Sequence, residues 1–586
     1  MSSTRKTSRF GRSAAEALAA SKEIRKTAAF IVLRIRHGGP AGCNEDSGAG
    51  FFRATTPRDG GFLPRNPIST AMLQAALDEW TIFEAAHLLR RAGFGGSPDE
   101  IKLLHSMGRH RAVESLLVPT EAVDAFPLPD WANREQAVAD MKARLQQFQE
   151  TRRATRDMSA EEAEKFRRNS QQQQQQLNRR HGIEGQGWWF RRMLKTKAPL
   201  REKMVLFWHD HFATSIQKVK QPVLMMMQNE LFRKHATGSF KELTHEILRD
   251  PAMMLYLDTQ TSKKGMPNEN FAREVMELFT LGEGNYSEQD IKEAARAFTG
   301  YQLNRFNGTV THEPRQWDDG EKTIFGKTGK FDGEEVVDLI FQQSAASELV
   351  PRKLWEYFVS ENPPEEGVDA LAKSFRDADF RIEPLLREIF RSKAFYAEKV
   401  VRNQIKSPIQ YLVQMLKELE LADPPQAYTM NAQQQLGQVL FMPPNVAGWD
   451  WGKAWINTNT LLTRYNVAGF ITKGAQEASP VAANDDESMM DMQMDRKEAV
   501  RAGMMQFAER NWAGPDFEKI APRSLREDPE KLVDALVFRF FQAPLGKKER
   551  GTFVEYAVSK KGAIFTNKEA GELCHLMLST PHYQLA

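Results

Sequence analysis

Hydrophobic residues recur at helical spacing along most of the chain from Ala71 onward. Leu73, Leu77 and Trp80 begin this pattern, and apolar residues three and four positions apart continue it in later segments. No alternation of strand-like and helix-like segments indicates a parallel sheet, and no repeat of about 34 or 40 residues indicates a solenoid. The pattern therefore predicts a mainly α fold, a multi-helix bundle with long loops, over residues 71–586.

Four segments depart from this pattern. Residues 1–70 combine basic residues with a Gly- and Pro-rich stretch, which predicts a disordered tail or a misassigned start. Residues 134–180 are polar and include six consecutive glutamines, which predicts a projecting helical arm. Residues 302–333 contain five glycines and predict a long loop, with a small hairpin within it as an alternative left open. Residues 479–497 are acidic and rich in methionine, and they predict a mobile insertion.

Composition excludes several classes of protein. The 586 residues include 80 Lys and Arg and 77 Asp and Glu, so the balance of charge argues against a chain-wide nucleic-acid-binding surface. Two cysteines exclude a disulfide scaffold and a cysteine-based metal cluster. No apolar run approaches the roughly 18 residues that span a membrane, so no transmembrane segment is expected.

The first candidates for chemistry are His209 and His211, within a helix predicted over residues 200–214. Positions two apart on a helix lie about 200° apart, so both histidines can bind one metal only where the helix ends or unwinds. The alternative is that one histidine faces a site while the other packs or caps the helix. Either can be a ligand or an acid–base group, because neutral imidazole binds metals and titrates near neutral pH.

A second candidate is the predicted helix over residues 270–281. Glu274 and Glu277 are three positions apart and therefore share a helix face, while Asn268 or Asn270 can cap the start of the helix. One interpretation is a capped, exposed and salt-bridged helix. The other is a buried acidic pair, which would have to pair, bind a metal or take up a proton.

These segments together predict one polar pocket. Two carboxylates and a histidine on facing helices are the usual ingredients of a metal site in a helical bundle, although the Glu-x-x-His pattern of di-metal proteins is absent. The sequence does not identify a cofactor. A divalent metal is the candidate, and Arg273 and Arg296 would orient an anionic group. The predicted catalytic residues, of which the histidines and glutamates would also be the metal ligands, are His209, His211, Arg273, Glu274, Glu277 and Arg296.

A third candidate is the segment 443–457, which contains Trp449, Trp451 and Trp455 among prolines and glycines. Exposed aromatic rings beside polar groups can stack on sugar rings or hold a peptide. The alternative is that the three rings cover the core and hold the helix that follows. These tryptophans, with Asn268 and Asn270, are the predicted binding residues.

Several motifs, occurring in order over roughly residues 80–585, resemble the bacterial DUF1800 family. The opening motif, residues 85–95, reads AAHLLRRAGFG, and residues 207–212 read FWHDHF. The remaining segments that carry the resemblance are residues 268–282, 295–301 (ARAFTGY), 325–329 (FGKTG) and 443–457. The chain is identified as a member of this family, whose chemistry is uncharacterised.

The resemblance implies an envelope or secreted role beside a partner of the DUF1501 family, which is similar to sulfatases and whose genes are often neighbours of DUF1800 genes. It implies a periplasmic or secreted location, whereas the absence of a clear secretory segment predicts a cytoplasmic one if the start is as given. Whether the protein is an enzyme stays open. One hypothesis is a metal-assisted or acid–base enzyme acting on an envelope polymer or a modified protein, and the alternative is a non-catalytic scaffold for the DUF1501 partner. A third interpretation is a buried structural network of the histidine, glutamate and arginine side chains.

Overall fold

The structure, a computed structural model, describes residues 73–76, 78–119, 126–154, 156, 158–304, 308–473, 514–560 and 565–586. The segments 1–70 and 479–497, predicted as a tail or misassigned start and as a mobile insertion, lie outside the described residues. Within the described ranges, no helix is both long and apolar enough to cross a membrane.

Helices dominate the described chain, which confirms the predicted mainly α fold. They are, in chain order, α1 (Ile82–Ala92), α2 (Pro98–Ser106), α3 (Arg109–Leu117), α4 (Arg134–Ala154), α5 (Ala160–Lys195), α6 (Pro199–His211), α7 (Ile216–Val219), α8 (Pro222–Lys234), α9 (Phe240–Leu248), α10 (Pro251–Tyr256), α11 (Asn270–Glu274), α12 (Glu288–Ala297), α13 (Gly333–Phe341), α14 (Leu349–Phe358), α15 (Glu365–Asp377), α16 (Ile382–Arg391), α17 (Pro408–Glu418), α18 (Gln426–Leu436), α19 (Thr458–Lys473), α20 (Phe517–Ile520), α21 (Arg523–Arg526), α22 (Pro529–Phe541), α23 (Lys547–Ser559) and α24 (Asn567–Leu578). A π-helix, Val275–Thr280, continues α11 directly.

Side-chain caps explain where many of these helices begin. At α2 the Ser97 hydroxyl accepts the backbone N–H of Glu100, and the Glu100 carboxylate accepts the backbone N–H of Ser97. Ser287 and Asp290 make the same reciprocal pair at the start of α12. Such a capping box satisfies two of the N–H groups that a helix start leaves free. The sequence predicts both helix starts correctly.

The segment predicted as a long glycine-rich loop contains two short antiparallel hairpins. Strands β1 (Tyr301–Leu303) and β2 (Val310–His312) pair with Tyr301 opposite His312. Strands β3 (Lys322–Ile324) and β4 (Lys327–Gly329) pair with Lys322 opposite Gly329. The small hairpin that the sequence left open is therefore present, and a second hairpin accompanies it.

The polar segment predicted as a helical arm forms α4 and the first half of α5. Most side chains between residues 160 and 181 are exposed, whereas the last turns of α5 carry the buried Trp188, Trp189 and Phe190 into the core. The long α5 is therefore fixed by its carboxyl-terminal half. That the polar half projects from the body stays a prediction.

A buried ion cluster joins α5, α6 and α8. The Glu202 carboxylate accepts hydrogen bonds from Arg192 at 2.8 Å, from Arg233 at 2.6 Å and from the Trp189 indole at 3.2 Å. Burial raises the pKa of Glu202, but the two guanidinium groups outweigh it and hold that pKa below its usual value. These paired charges fix the orientation of α6. Another face of this helix lines a cavity.

Candidate functional site

A cavity of about 700 Å³ lies where α1, α6, α14, the start of α17 and the segment 443–457 meet. Its deeper residues, such as Lys203 and Lys406, are buried, whereas Glu361, Trp451 and Lys453 are exposed and mark its mouth. A volume of this size is typical of a site for a small molecule or for one unit of a polymer.

Two helices present most of the polar groups of this cavity. On α6, Lys203, Phe207, Asp210 and His211 follow at intervals of four, three and one, so they lie on one helix face. On α14, Lys353, Glu356 and Tyr357 occupy one face in the same way, and the Tyr357 hydroxyl donates to the backbone carbonyl oxygen of Lys203 at 3.3 Å. The spacing of residues on each helix thus creates a lined cavity between the two helices.

Asp210 is the acidic group held deepest in this arrangement. Its Oδ1 accepts the backbone N–H of Trp449 at 2.7 Å, and the Trp451 side chain also hydrogen-bonds to the carboxyl group. Burial raises the pKa of Asp210 to about 7, in spite of these bonds and of the nearby Lys353. The carboxyl group can therefore take up and release a proton near neutral pH.

His211 and Lys353 are oriented by the π-helix that continues α11. The Nε2 of His211 lies 2.9 Å from the carbonyl oxygen of Phe279, and the Nζ of Lys353 lies 3.3 Å from that of Leu278. Because the carbonyl oxygen only accepts, Nε2 carries the proton, and Nδ1 accepts from Lys353 Nζ at 3.3 Å. Burial and the adjacent Lys353 lower the pKa of His211 well below its usual value, so this imidazole is neutral at pH 7.

The charges around the cavity do not balance. Six basic and three acidic side chains line it. In the described part of the chain none of the six basic groups pairs with an Asp or Glu side chain within 4 Å, whereas the buried Arg192, Arg233 and Arg539 elsewhere each pair with a glutamate. The six are Arg90, Arg91, Lys203, Lys353, Lys406 and Lys453.

Neutral groups hold the deeper cations in place. Arg91 donates to the backbone carbonyl oxygens of Phe358 at 2.9 Å and Val359 at 2.5 Å, where α14 ends, and to the main-chain oxygen of Ala586 at 3.3 Å. Arg90 donates to the Phe541 carbonyl oxygen at 2.8 Å, and among the described residues its Nε and Nη2 have no hydrogen-bond partner. No acidic side chain among the described residues forms an ion pair with either arginine, and this excess of positive charge favours an anionic ligand.

A glycine lets the tryptophan-rich segment close over Asp210. Gly448 has φ +90°, and a Cβ built there would lie 2.6 Å from the backbone carbonyl oxygen of Asp210 and would also meet its carboxylate. Only a residue without a side chain adopts this conformation and this approach at low cost. Gly448 thus allows Trp449 and Trp451 to reach the carboxyl group.

A family model described as "Protein of unknown function (DUF1800)" matches residues 87–585 of the chain. The chain belongs to the DUF1800 family. Comparisons with curated proteins and with solved structures gave no significant match. Three of the segments that carry the DUF1800 resemblance line the cavity: residues 85–95 supply Arg90 and Arg91, residues 207–212 supply Asp210 and His211, and residues 443–457 supply its mouth.

The four predicted metal ligands of this DUF1800 protein do not form a metal centre. Among the described residues, no three His, Cys, Asp or Glu side chains lie together in a way that could hold a metal ion. His211 lines the cavity, but His209 is on the opposite face of α6, in contact with the rings of Trp189 and Trp449. The structure therefore separates the two histidines, for the angular reason that their spacing already indicates, and the described residues give the predicted four-residue metal site no support.

The two glutamates and their neighbouring arginines lie outside the cavity lining. Glu274 is half-buried, and burial together with Glu277 raises its pKa. Glu277 accepts a hydrogen bond from the Tyr286 hydroxyl. Arg273 donates to both carboxylate oxygens of Glu288, at 2.8 and 2.9 Å.

Arg296 and the two asparagines have structural contacts of their own. Arg296 is held by Asp318 at 2.8 Å and by Glu293 at 2.7 Å. Asn268 Oδ1 accepts the backbone N–H of Asn270 at 2.9 Å, and Asn270 Nδ2 donates to the Leu257 carbonyl oxygen at 3.4 Å. None of these three residues lines the cavity, and their predicted catalytic or binding roles have no support from its geometry.

The three tryptophans divide between the core and the cavity. Trp449 is buried against His209, whereas Trp455 is buried but lines the cavity. Trp451 is 49% exposed at the mouth, with its ring edge-on to Tyr357 at 5.3 Å. The core-covering interpretation therefore applies to Trp449, and a binding role for Trp451 and Trp455 stays a prediction.

Sequence reasoning missed Asp210, Arg90, Lys203, Lys353 and Lys406. A signal was present on α6, since Lys203 and Asp210 are seven positions apart and so share the face of His211. For Lys353 and Lys406 the sequence offers no comparable signal, because they reach the cavity from distant segments.

Proposed function

We propose that this DUF1800 protein is an acid–base enzyme whose substrate is anionic and binds in the cavity between α6 and α14. The observation that carries the proposal is the group of six basic side chains around the cavity, none of which has an ion-pair partner within the described residues. Four of the six, Arg90, Arg91, Lys203 and Lys406, are buried. Buried basic groups without an acidic partner destabilise a fold, so their retention is typical of a site that a charged ligand completes.

Asp210 is the group that we assign to proton transfer. Its pKa, raised by burial to about 7, lies where a general acid or base works best at neutral pH. Lys353 and His211 lie beside it, and the π-helix carbonyl oxygens fix their orientation. The acid–base half of the sequence-based hypothesis thus has geometric support, and the metal-assisted half has none from the described donors.

The dimensions and the exposed mouth suit one anionic unit of an envelope polymer or of a modified protein. The floor supplies the positive charge, and the half-exposed Trp451 offers a ring at the entrance on which a sugar or a flat group can stack. An envelope polymer or a modified protein, each predicted from the family resemblance, therefore stays the proposed substrate class.

Sulfate binding, measured by calorimetry on the purified chain, tests the proposal. Sulfate keeps its charge between pH 8 and pH 6, whereas burial lowers the pKa of both Lys203 and Lys406 to about 7. As the pH falls through 7, both lysines gain a proton and Asp210 loses its negative charge, so the cavity becomes more positive. We expect sulfate affinity to rise several-fold from pH 8 to pH 6.

Lys203→Met should weaken sulfate binding by about tenfold or more, since a hydrogen bond to a charged group contributes roughly 1.5–3 kcal/mol. Lys417→Met is the matched control, because the Lys417 side chain is only 8% exposed but pairs with Glu100 at 3.2 Å and lies outside the lining. A sulfate affinity that is absent, or equal in wild type and Lys203→Met, would overturn the proposal.

A scaffold role beside a DUF1501 protein is the second candidate. Trp451 is the ring of the tryptophan-rich segment that is exposed enough to contact a partner. Co-purification from a native host tests this role: a stable complex lost on Trp451→Ala but kept by Asp210→Asn favours a scaffold, and loss in neither variant argues against contact through this segment.

A further inference from the structure

Lys406 differs from the other basic groups of the cavity. It is 1% exposed, and its Nζ lies 3.6 Å from the centre of the Tyr583 ring. Among the described residues, no hydrogen-bond acceptor and no acidic side chain within 4 Å partners this Nζ. By contrast, Lys203 Nζ donates to Gln410 and Lys353 Nζ donates to His211 and Leu278.

The backbone around Lys406 is fixed from two sides. Its N–H donates to the Gln584 carbonyl oxygen at 2.8 Å, and its own carbonyl oxygen accepts from Arg464 Nη2 at 2.8 Å. The side chain therefore reaches the cavity from a rigid position. An amine at a fixed place on a cavity wall meets a bound ligand in one orientation, which favours reaction at that amine.

The charges that face Lys406 come from α17, α1 and α19. Burial, opposed by Glu418 and assisted by Arg90 and Arg464, lowers its pKa to about 7. Glu418 is itself occupied, because it accepts hydrogen bonds from Gln414, Gln542 and the Tyr583 hydroxyl. A buried lysine beside other cations carries a substantial neutral fraction at pH 7, and the neutral amine is a nucleophile.

We infer that Lys406 is a nucleophilic amine that forms a Schiff base with an aldehyde or ketone carried by the anionic ligand of the cavity. The amine lone pair forms the new C–N bond at the carbonyl carbon, and the carbonyl π pair moves to oxygen. The two amine hydrogens then leave with that oxygen as water, and the C=N bond remains. The inference rests on the proposed function for the anionic site, and it adds a covalent step and a carbonyl substrate class.

Reductive trapping with glyoxylate tests the inference, because glyoxylate carries both an aldehyde and a carboxylate. The full chain is incubated with glyoxylate and cyanoborohydride from pH 6 to pH 9, and modified lysines are mapped by peptide mass spectrometry. We expect Lys406 to react at least about tenfold faster at pH 7 than the exposed Lys453, since burial gives Lys406 a substantial fraction of neutral amine and the cavity holds the carboxylate beside it. The half-maximal rate should lie near pH 7, and sulfate should slow the reaction.

Lys406→Arg separates this inference from the proposed function. Arginine keeps the positive charge, so sulfate binding should persist while trapping at this position is lost. Sulfate binding without preferential trapping of Lys406 in wild type overturns the inference and leaves the anionic site intact. Absence of sulfate binding overturns the proposed function. If Lys406→Arg fails to fold, the map of modified lysines in the wild-type protein still tests the inference. The half-buried Lys417, paired with Glu100, should stay unmodified, and equal modification of Lys417 and Lys406 contradicts the inference.

Discussion

Neighbouring residues of α6 have opposite chemistry because they face different surroundings. His209 is enclosed by aromatic rings, among them Trp189, Phe441 and Trp449, and its Nε2 has no hydrogen-bond partner among the described residues. Burial lowers its pKa to about 3, so it is neutral. Asp210, one position on, faces the cavity and titrates near neutral pH. The residue type alone therefore does not show whether a histidine takes part in chemistry. The helix face on which the residue lies is the more reliable guide.

His209→Leu tests this distinction. Leucine fills a similar volume and removes a buried nitrogen that lacks a partner, so we expect the free energy of unfolding to rise by about 1 kcal/mol. Urea denaturation measures the change, and calorimetry should show unaltered sulfate affinity. His211→Leu serves as the comparison, since it removes the bonds to Phe279 and Lys353 and should reduce both stability and affinity. A loss of sulfate binding in His209→Leu would mean that this residue contributes to the site.

At the scale of elements, the π-helix that continues α11 makes the contact with α6. The sequence predicts one regular helix over residues 270–281, in which two glutamates share a face. The structure has an α-helical turn followed by the π-helix, and its carbonyl oxygens at Leu278 and Phe279 accept from Lys353 and His211. The predicted proximity of the two helices is correct, but backbone groups make the contact in place of the glutamate side chains. π-helical turns occur frequently at functional sites, which agrees with this position.

Thr280→Val tests the contribution of this π-helix. The Thr280 hydroxyl donates to the Val275 carbonyl oxygen, five residues earlier, and both groups are buried. Valine keeps the shape but leaves that oxygen without its donor, so we expect a loss of about 1 kcal/mol in the free energy of unfolding. Thr323→Val is the control, because the Thr323 hydroxyl is exposed on β3. Equal denaturation midpoints for wild type and both variants would show that the hydroxyl does not stabilise the π-helix.

At the scale of the whole molecule, local features were predictable and the cavity was not. The α class and the capped starts at Ser97 and Ser287 follow from periodicity and from residues three positions apart. The cavity joins segments around residues 90, 210, 353, 406 and 451, and no sequence period connects them. In the sequence, the histidines and the paired glutamates predict a metal centre. The lysines and arginines that dominate the cavity are common on any surface, so only their burial distinguishes them.

Gly448→Ala tests whether the meeting of these segments creates the site. A Cβ at this position would meet Asp210 at a φ of +90°, so the segment 443–457 must move away from α6. Trp449 and Trp451 would then lose their bonds to the Asp210 carboxyl group, which solvent would reach. We expect sulfate affinity to fall by about tenfold at pH 6, because water screens the charges of an opened cavity. Gly551→Ala is the matched control: it lies within α23 with no atom within 4 Å of the added Cβ, and it should leave affinity unchanged while stabilising the helix by about 0.5–1 kcal/mol. Unchanged sulfate affinity in a folded Gly448→Ala protein would show that the tryptophan-rich segment does not close the cavity.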